Sequence, residues 1–306
     1  MTAALAAVRA GITRRRRLDL AFAAVGVCAL ALGLLTLGAL LWDLGADGAG
    51  RLSWDFLTSF PSRHAEKAGI LSAWVGTALV MLVTACAAVP LGVGAGVYLE
   101  EYAPKNRFTE LIEVNIANLA GVPSVVYGLM ALGLFVYRFG FGQSVLTAGL
   151  TLALLILPIV ITATREAIRA IPGHLREAAF ALGATRWETT RDHVVPYSLG
   201  GILTGVIIGL SRAIGESAPL VTIGALAFIA FLPPAPVKAA APFLSFEWLM
   251  SPFTVLPIQM FNWVSRPQAP FHLNAAGAGL VLLTMTLAMN GAAIWLRYRF
   301  RKRIKW

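Results

Sequence analysis

Charge is scarce in this sequence: Asp, Glu, Lys and Arg make up 13% of 306 residues, against 58% hydrophobic residues. Soluble domains carry about 25% charged residues, so an ordinary water-soluble fold is excluded. Cysteine is nearly absent. Cys28 and Cys86 each lie inside an apolar run without metal-ligand spacing, which excludes a disulfide framework and leaves both as packing thiols. The histidines, His64, His174, His193 and His272, are scattered over different loops, so no metal site and no catalytic constellation emerges. None of Lys67, Lys105, Lys238, Lys302 or Lys305 closes a Gly-x-x-x-x-Gly-Lys-Ser/Thr loop, and the usual cradle for nucleotide phosphates is missing. Gly92, Gly94 and Gly96 follow Pro90 within an apolar run and lack a strand-to-helix context; they fit close packing or loosening of a helix instead. Any energy source must sit on another subunit.

What is present is a set of long apolar runs. Six segments are candidates for membrane spans: Leu20 to Trp42, Ile70 to Leu99, Val114 to Tyr137, Val145 to Thr164, Leu199 to about Ile229, and Ala275 to Leu296. Each reaches about 20 residues, enough to cross about 30 Å of hydrocarbon as a helix. The expected fold is all-α and polytopic, with six transmembrane helices. Its parts are a basic N-terminus (1–19), a first anchor (20–42), an outer loop (43–69), a core (70–296) with a polar loop (165–198), and a basic tail (297–306). Arg14 to Arg17 before the first apolar run imitate a secretion signal, but the run exceeds a cleavable core and reads as an uncleaved anchor. With both termini inside, 18 of the 25 Lys and Arg residues fall on the inner side, six on the outer side, and Arg212 within a span. That split predicts cytoplasmic termini and places the polar loop on the inner side as well. It also accounts for the net charge of +10 without nucleic acid as a partner, because the basic residues are dispersed along membrane boundaries.

The polar loop is the most structured part of the sequence. After Pro172-Gly173, residues His174 to Leu182 are free of Pro and Gly and rich in helix formers. Gly183 suits the left-handed position that closes a helix. Thr185-Arg186-Trp187-Glu188 matches a capping box that starts another helix. The pattern predicts a hook of two short helices meeting at Gly183. Ala178, Ala179, Phe180 and Leu182 give it an apolar surface, with Arg176, Glu177, Arg186, Glu188 and Arg191 around the rim. A knob with a charged rim suits docking into a partner's groove; an amphipathic loop lying on the bilayer is the alternative.

The fifth span carries the strongest polar signal. At 100° per residue, Gly205, Gly209, Arg212, Glu216 and Pro219 share one face, and Leu203, Ile207, Leu210, Ile214 and Val221 the other, predicted to meet lipid. Gly201, Gly205 and Gly209 form two Gly-x-x-x-Gly steps for close helix packing. An arginine at mid-span costs about 2.5–3.5 kcal/mol on insertion scales, so Arg212 needs a partner or a wet cavity, and Glu216 one turn on is the expected partner. Arg212 and Glu216 are thus candidates for a translocation path or gate for an anion, or for a structural pair.

Elsewhere, the segment from Ala230 to Phe271 is apolar and contains eight prolines, so it is expected to fold back against the spans as an outer gate or landing surface. Trp54, Phe56, Phe60, Trp248 and Trp263 read as an aromatic belt. Pro90, Pro123 and Pro158 are expected to kink spans.

Glu177-Ala178-Ala179, three residues, Gly183, nine residues, then a hydrophobic-x-hydrophobic-Pro ending at Pro196 resembles the EAA loop of type I ABC transporter permeases. His193 and Val195 depart from that family's usual isoleucine-like residue and leucine. The resemblance implies the MetI-like permease fold and an ATPase-coupling loop with Glu177, Ala178, Ala179, Gly183, Thr185, Glu188 and Pro196. Three strings extend it: Gly121-Val122-Pro123-Ser124-Val125-Val126-Tyr127-Gly128, Ser211 to Pro219, and Leu256-Pro257-Ile258-Gln259-Met260-Phe261-Asn262-Trp263. Together they look like the PstA family of phosphate-importer permeases, from about Ile70 to Leu296. The resemblance implies a permease subunit, not itself an enzyme. Its partners would be a PstC-like second permease, two PstB-like ATP-binding subunits carrying ATP and Mg, and a periplasmic PstS-like phosphate-binding protein, all around the lipid bilayer. A permease for another oxyanion, a self-sufficient secondary transporter or anion channel, and a noncatalytic membrane scaffold or sensor are the competing classes.

Overall fold

A computed structural model describes residues 2–237 and 245–301, with side chains from Arg15 to Arg299. Lys238, Lys302, Arg303 and Lys305, and the side chains of Arg9 and Arg14, lie outside the described residues. The described chain is all-helical: α1 (Thr2–Gly48), α2 (Trp54–Thr58), α3 (Leu71–Val97), α4 (Arg107–Leu119), α5 (Ser124–Ala131), α6 (Val145–Arg169), α7 (Gly173–Ala181), α8 (Arg186–Thr189), α9 (Val195–Ile214), α10 (Ala218–Thr222), α11 (Leu256–Val264) and α12 (Ala269–Arg301). Wider π turns extend three elements, at Tyr98–Tyr102, Leu132–Arg138 and Thr190–Val194. Among the described residues, five helical stretches are long and apolar enough to cross a membrane, and six if the bent pair α4 and α5 counts as one span.

The core forms around α6, which packs against α3 and α9. Small residues set these contacts. A Cβ on Gly92 or Gly96 of α3 would press on Val160 or Thr164 of α6, so the two backbones approach as only glycine permits. Pro90 and Pro158 both lie within helices that run on through them. At the end of the bundle away from the hook, α11 inserts into the body. The Thr77 hydroxyl accepts a hydrogen bond from the Leu256 amide at 2.9 Å, satisfying a donor that α11 cannot pair internally. The described parts of the Ala230–Phe271 segment therefore fold into the protein: Phe253, Val255, Leu256, Ile258 and Trp263 are buried.

Several expectations are corrected. The third span is not continuous from Val114 to Tyr137: α4 and α5 meet at 107° across Gly121-Val122-Pro123. Proline restricts the residue before it and lacks an amide proton, and the freed Leu119 carbonyl accepts from the Tyr127 hydroxyl at 2.7 Å. The fifth span is not one helix from Leu199 to Ile229, because α9 ends at Ile214 and the short α10 follows. Leu210 and Ile214 do not face lipid but join the core. Of the aromatic belt, only Trp54 is widely exposed. Phe56 and Trp263 are buried with ring centroids 6.1 Å apart, Trp248 is buried, and Phe60 is half-buried; they are core because α2 and α11 fold inward. Cys28 and Cys86 are exposed on this chain rather than packed within it, since both lie on outer helix faces. Most of α1 is exposed as well, its contacts with α12 gathering near Gly48.

Candidate functional site

Two places collect the residues singled out in the sequence. The first is the hook between α6 and α9. Helix α7 starts at Gly173, and the chain turns at Gly183, whose φ of +86° lies in the left-handed region. The Ala184 amide donates to the Ala179 carbonyl at 3.1 Å and the Gly183 amide to the Phe180 carbonyl at 3.0 Å, closing α7. Thr185 then begins α8 with both halves of the capping box: its amide donates to a Glu188 carboxylate oxygen at 2.7 Å, and the Glu188 amide donates to its hydroxyl at 3.3 Å. These bonds from the Thr185 amide and hydroxyl hold the Glu188 carboxyl below the usual glutamate range. Ala179 is the buried side of the hook, while Leu182 is 89% exposed, with Phe180 and Trp187 also open. Glu177 and Ala178 are exposed and Pro196 is half-buried at the start of α9. The hook thus presents a leucine-centred apolar knob left open by the described residues.

Sequence reasoning missed what holds the hook in place. Arg176 reaches Glu101 at 2.7 Å and also donates to the carbonyls of Ile168 and Ile171 at 3.1 and 3.0 Å. Arg169 pairs with Glu100 at 3.0 Å, and Arg165 with Glu113 at 2.7 Å. The Arg186 guanidinium lies 5.9 Å from the Tyr102 ring centroid. Glu100-Glu101 directly after an apolar run, facing arginines spaced through residues 165–186, was the available signal.

The second place surrounds Arg212. Gly201 and Gly205 face Ala167 and Ala163 of α6, and Gly209 faces Ile156 and Val160. The helices are antiparallel, so Arg212 stands beside the middle of α6, in the last turn of α9. The expected partnership with Glu216 does not form. The helix ends before Glu216, and among the described residues Arg212 makes no ion pair. Its side chain is exposed on this chain, and Glu216 is half-buried. Two of the strings read from the sequence meet here, since a Cβ on Gly128 would lie 2.7 Å from the Pro219 backbone. A cation beside two helix breaks, on an open face, can receive an anion. Among the described residues no group of His, Cys, Asp and Glu could hold a metal ion.

The family described as binding-protein-dependent transport system inner membrane component matches residues 88–306. A probable ABC transporter permease protein of Bacillus subtilis, YqgI, is 31% identical over 91% of this chain and 94% of its own length. The phosphate transport system permease protein PstA of Xylella fastidiosa (strain 9a5c) is 32% identical over 94% of this chain and 95% of its own. Among solved structures, a chain of the inward-facing MetNI methionine ABC transporter superposes with a TM-score of 0.58 at 16% identity, covering 74% of this chain and 94% of that one; this likeness concerns the fold. The hook, the all-helical body and these matches together place the chain in the family of binding-protein-dependent transport system inner membrane components, as a multi-pass permease subunit of an ABC importer.

Proposed function

We propose that this chain forms half of the path of an ATP-driven importer of inorganic phosphate, paired with a PstC-like permease. In this reading two PstB-like subunits bind ATP and Mg and hydrolyse the nucleotide, and a PstS-like protein delivers phosphate from the outer side. The hook end is cytoplasmic, as are both termini, because Lys and Arg concentrate there. The observation that carries the reading is the hook, a capped helical turn that offers Leu182, 89% exposed, to a partner. Seated in a groove of the ATP-binding subunit, it would be displaced when those subunits close, and the displacement would pass to α6 and α9 at its two ends. Glu177, Ala178, Ala179, Gly183, Thr185, Glu188 and Pro196 shape this contact, and Gly201, Gly205 and Gly209 hold α9 against α6.

Phosphate as the substrate is supported by the PstA relatives and by Arg212, a cation beside the middle of α6 that makes no ion pair among the described residues. Arg212 would meet the anion in transit, and Glu216, close along the chain, would weaken the hold and favour release. Uptake of radiolabelled phosphate by proteoliposomes carrying the whole complex tests the reading, with sulfate and molybdate as competitors. ATP-dependent uptake resistant to both competitors supports it. Uptake driven by an ion gradient through this chain alone, or displacement of phosphate by sulfate, would overturn it.

A further inference from the structure

We propose that Arg176 is a positioning residue for energy coupling: through Glu101 it locks the hook to α3, a helix that is not its neighbour along the chain. The inference rests on the importer reading above. The two residues are 75 positions apart, and the guanidinium uses Nη2 and Nε to reach Glu101 Oε1 at 2.7 and 3.1 Å. The same group donates to the carbonyl of Ile168, in the last turn of α6, and to that of Ile171, just past its end. One side chain therefore ties together the hook, the end of α6 and the turn that follows α3. The Glu101 side chain is 9% exposed and that of Arg176 22%, so solvent and salt screen the bond poorly; two guanidinium nitrogens converge on Oε1, and Nε also reaches Oε2 at 3.4 Å.

The neighbours repeat the arrangement. Every polar residue of the π turn Tyr98–Tyr102 beyond its first two positions engages an arginine of the hook or of its root: Glu100 pairs with Arg165 and Arg169, Glu101 with Arg176, and the Tyr102 ring lies beneath Arg186. The covalent ends of the hook run into α6 and the wider turn Thr190–Val194, while among the described residues these straps are the charged and cation–π contacts that link the hook and its root to the turn after α3. With them, displacement of the Leu182 knob reaches α3 directly, and α3 is seated on α6 through Gly92 and Gly96. Lysine at position 176 could not replace the fork and both carbonyl contacts.

The test uses the complete complex in proteoliposomes, with inorganic phosphate as the probe. Three quantities are read: retention of the ATP-binding subunits, ATP hydrolysis, and phosphate moved per ATP. In E101Q, R176Q and the double variant, the ATP-binding subunits should remain bound and hydrolysis should continue. Phosphate moved per ATP should fall about fivefold or more in each single variant, and no further in the double. An unchanged ratio in the single variants, or losses that multiply in the double, would overturn the inference while leaving the importer reading intact. So would loss of the ATP-binding subunits in step with uptake, which would make the pair a docking element only. Should E101Q fail to insert, E101D, which keeps the charge and shortens the reach, is judged by the same ratio. If the unaltered complex moves no phosphate with ATP, the importer reading itself falls and takes the inference with it.

Discussion

Replacing Gly183 separates the backbone of the hook from its surface. The residue has φ +86°, and a Cβ built on it would meet nothing within 4 Å. Gly183→Ala therefore adds no clash, and its cost is that of a left-handed backbone for an L-residue, about 1–2 kcal/mol. At about 1.4 kcal/mol per factor of ten, the equilibrium constant for the docking shape would fall about 5- to 30-fold. Apparent affinity for the ATP-binding subunit would drop by up to the same factor, in proportion to the population lost. Asparagine tolerates this region better than alanine, so Gly183→Asn should fall between glycine and alanine. Proline fixes φ near −65° and lacks the proton that Gly183 donates to Phe180 at 3.0 Å. Gly183→Pro cannot keep the turn and should lose docking and ATP-driven uptake together. Titrating a fluorescent ATP-binding subunit against the permease pair in nanodiscs gives the four affinities, expected in the order Gly, Asn, Ala, Pro. Equal binding by all four, or a proline variant that docks and transports normally, would refute the lever.

Three further outcomes are expected. Gly205→Ala should push α9 off α6, because the new methyl meets the Ala163 Cβ; overpacking costs about 1–3 kcal/mol, and Ala163→Gly in the same chain should restore the melting temperature of the complex. The Glu188 carboxyl, held below its ordinary 4.5 by bonds from Thr185, stabilises the start of α8 above that pH and loses the effect only as pH falls through the lowered value. Hydrogen-exchange protection of the Thr185 amide should stay constant from pH 7 to the ordinary glutamate value and collapse below it, and collapse near that ordinary value would contradict the capping geometry. Arg212→Ala should abolish phosphate uptake with the complex still assembled, and normal uptake by a correctly inserted variant would remove Arg212 from the mechanism.

The hook was legible because its determinants are local. A glycine stop, a Thr-x-x-Glu box and a stretch of helix formers each act within four residues, and α7, the Gly183 turn and α8 fall where those signals stand. The helix breaks were harder to place because their causes are tertiary. An uninterrupted apolar run says that a segment avoids water, and it reads alike for a lipid-facing helix and for irregular chain buried in protein. Residues 215–229 mix the short α10 with irregular chain tied to the body: the Ile229 carbonyl accepts from Ser72 at 2.9 Å, and the Leu226 amide donates to the Phe253 carbonyl at 3.1 Å. Gly215 and Pro219 were the local hints. Phe56 and Trp263 misled for a related reason, since an aromatic residue at the edge of an apolar run fits a belt until a neighbouring element folds over it.

The position of Arg212 follows from the same breaks. A helix that stops at mid-depth exposes backbone groups that lipid cannot satisfy, so the stop needs protein around it. Here two stops share one shelter. The break after α4 is closed by Tyr127, whose hydroxyl donates to the Leu119 carbonyl, and the break after α9 is closed by α10, pressed onto the residue next to Tyr127, Gly128. Arg212 occupies the last turn of α9, where the unpaired carbonyls carry about half a negative charge. That field stabilises the guanidinium without an ion pair and offsets part of its charge. In the proposed mechanism a passing anion therefore meets a cation already weakened by its own helix, an effect that adds to that of the nearby Glu216, whereas a carboxylate bonded directly to Arg212 would have closed the site to the substrate.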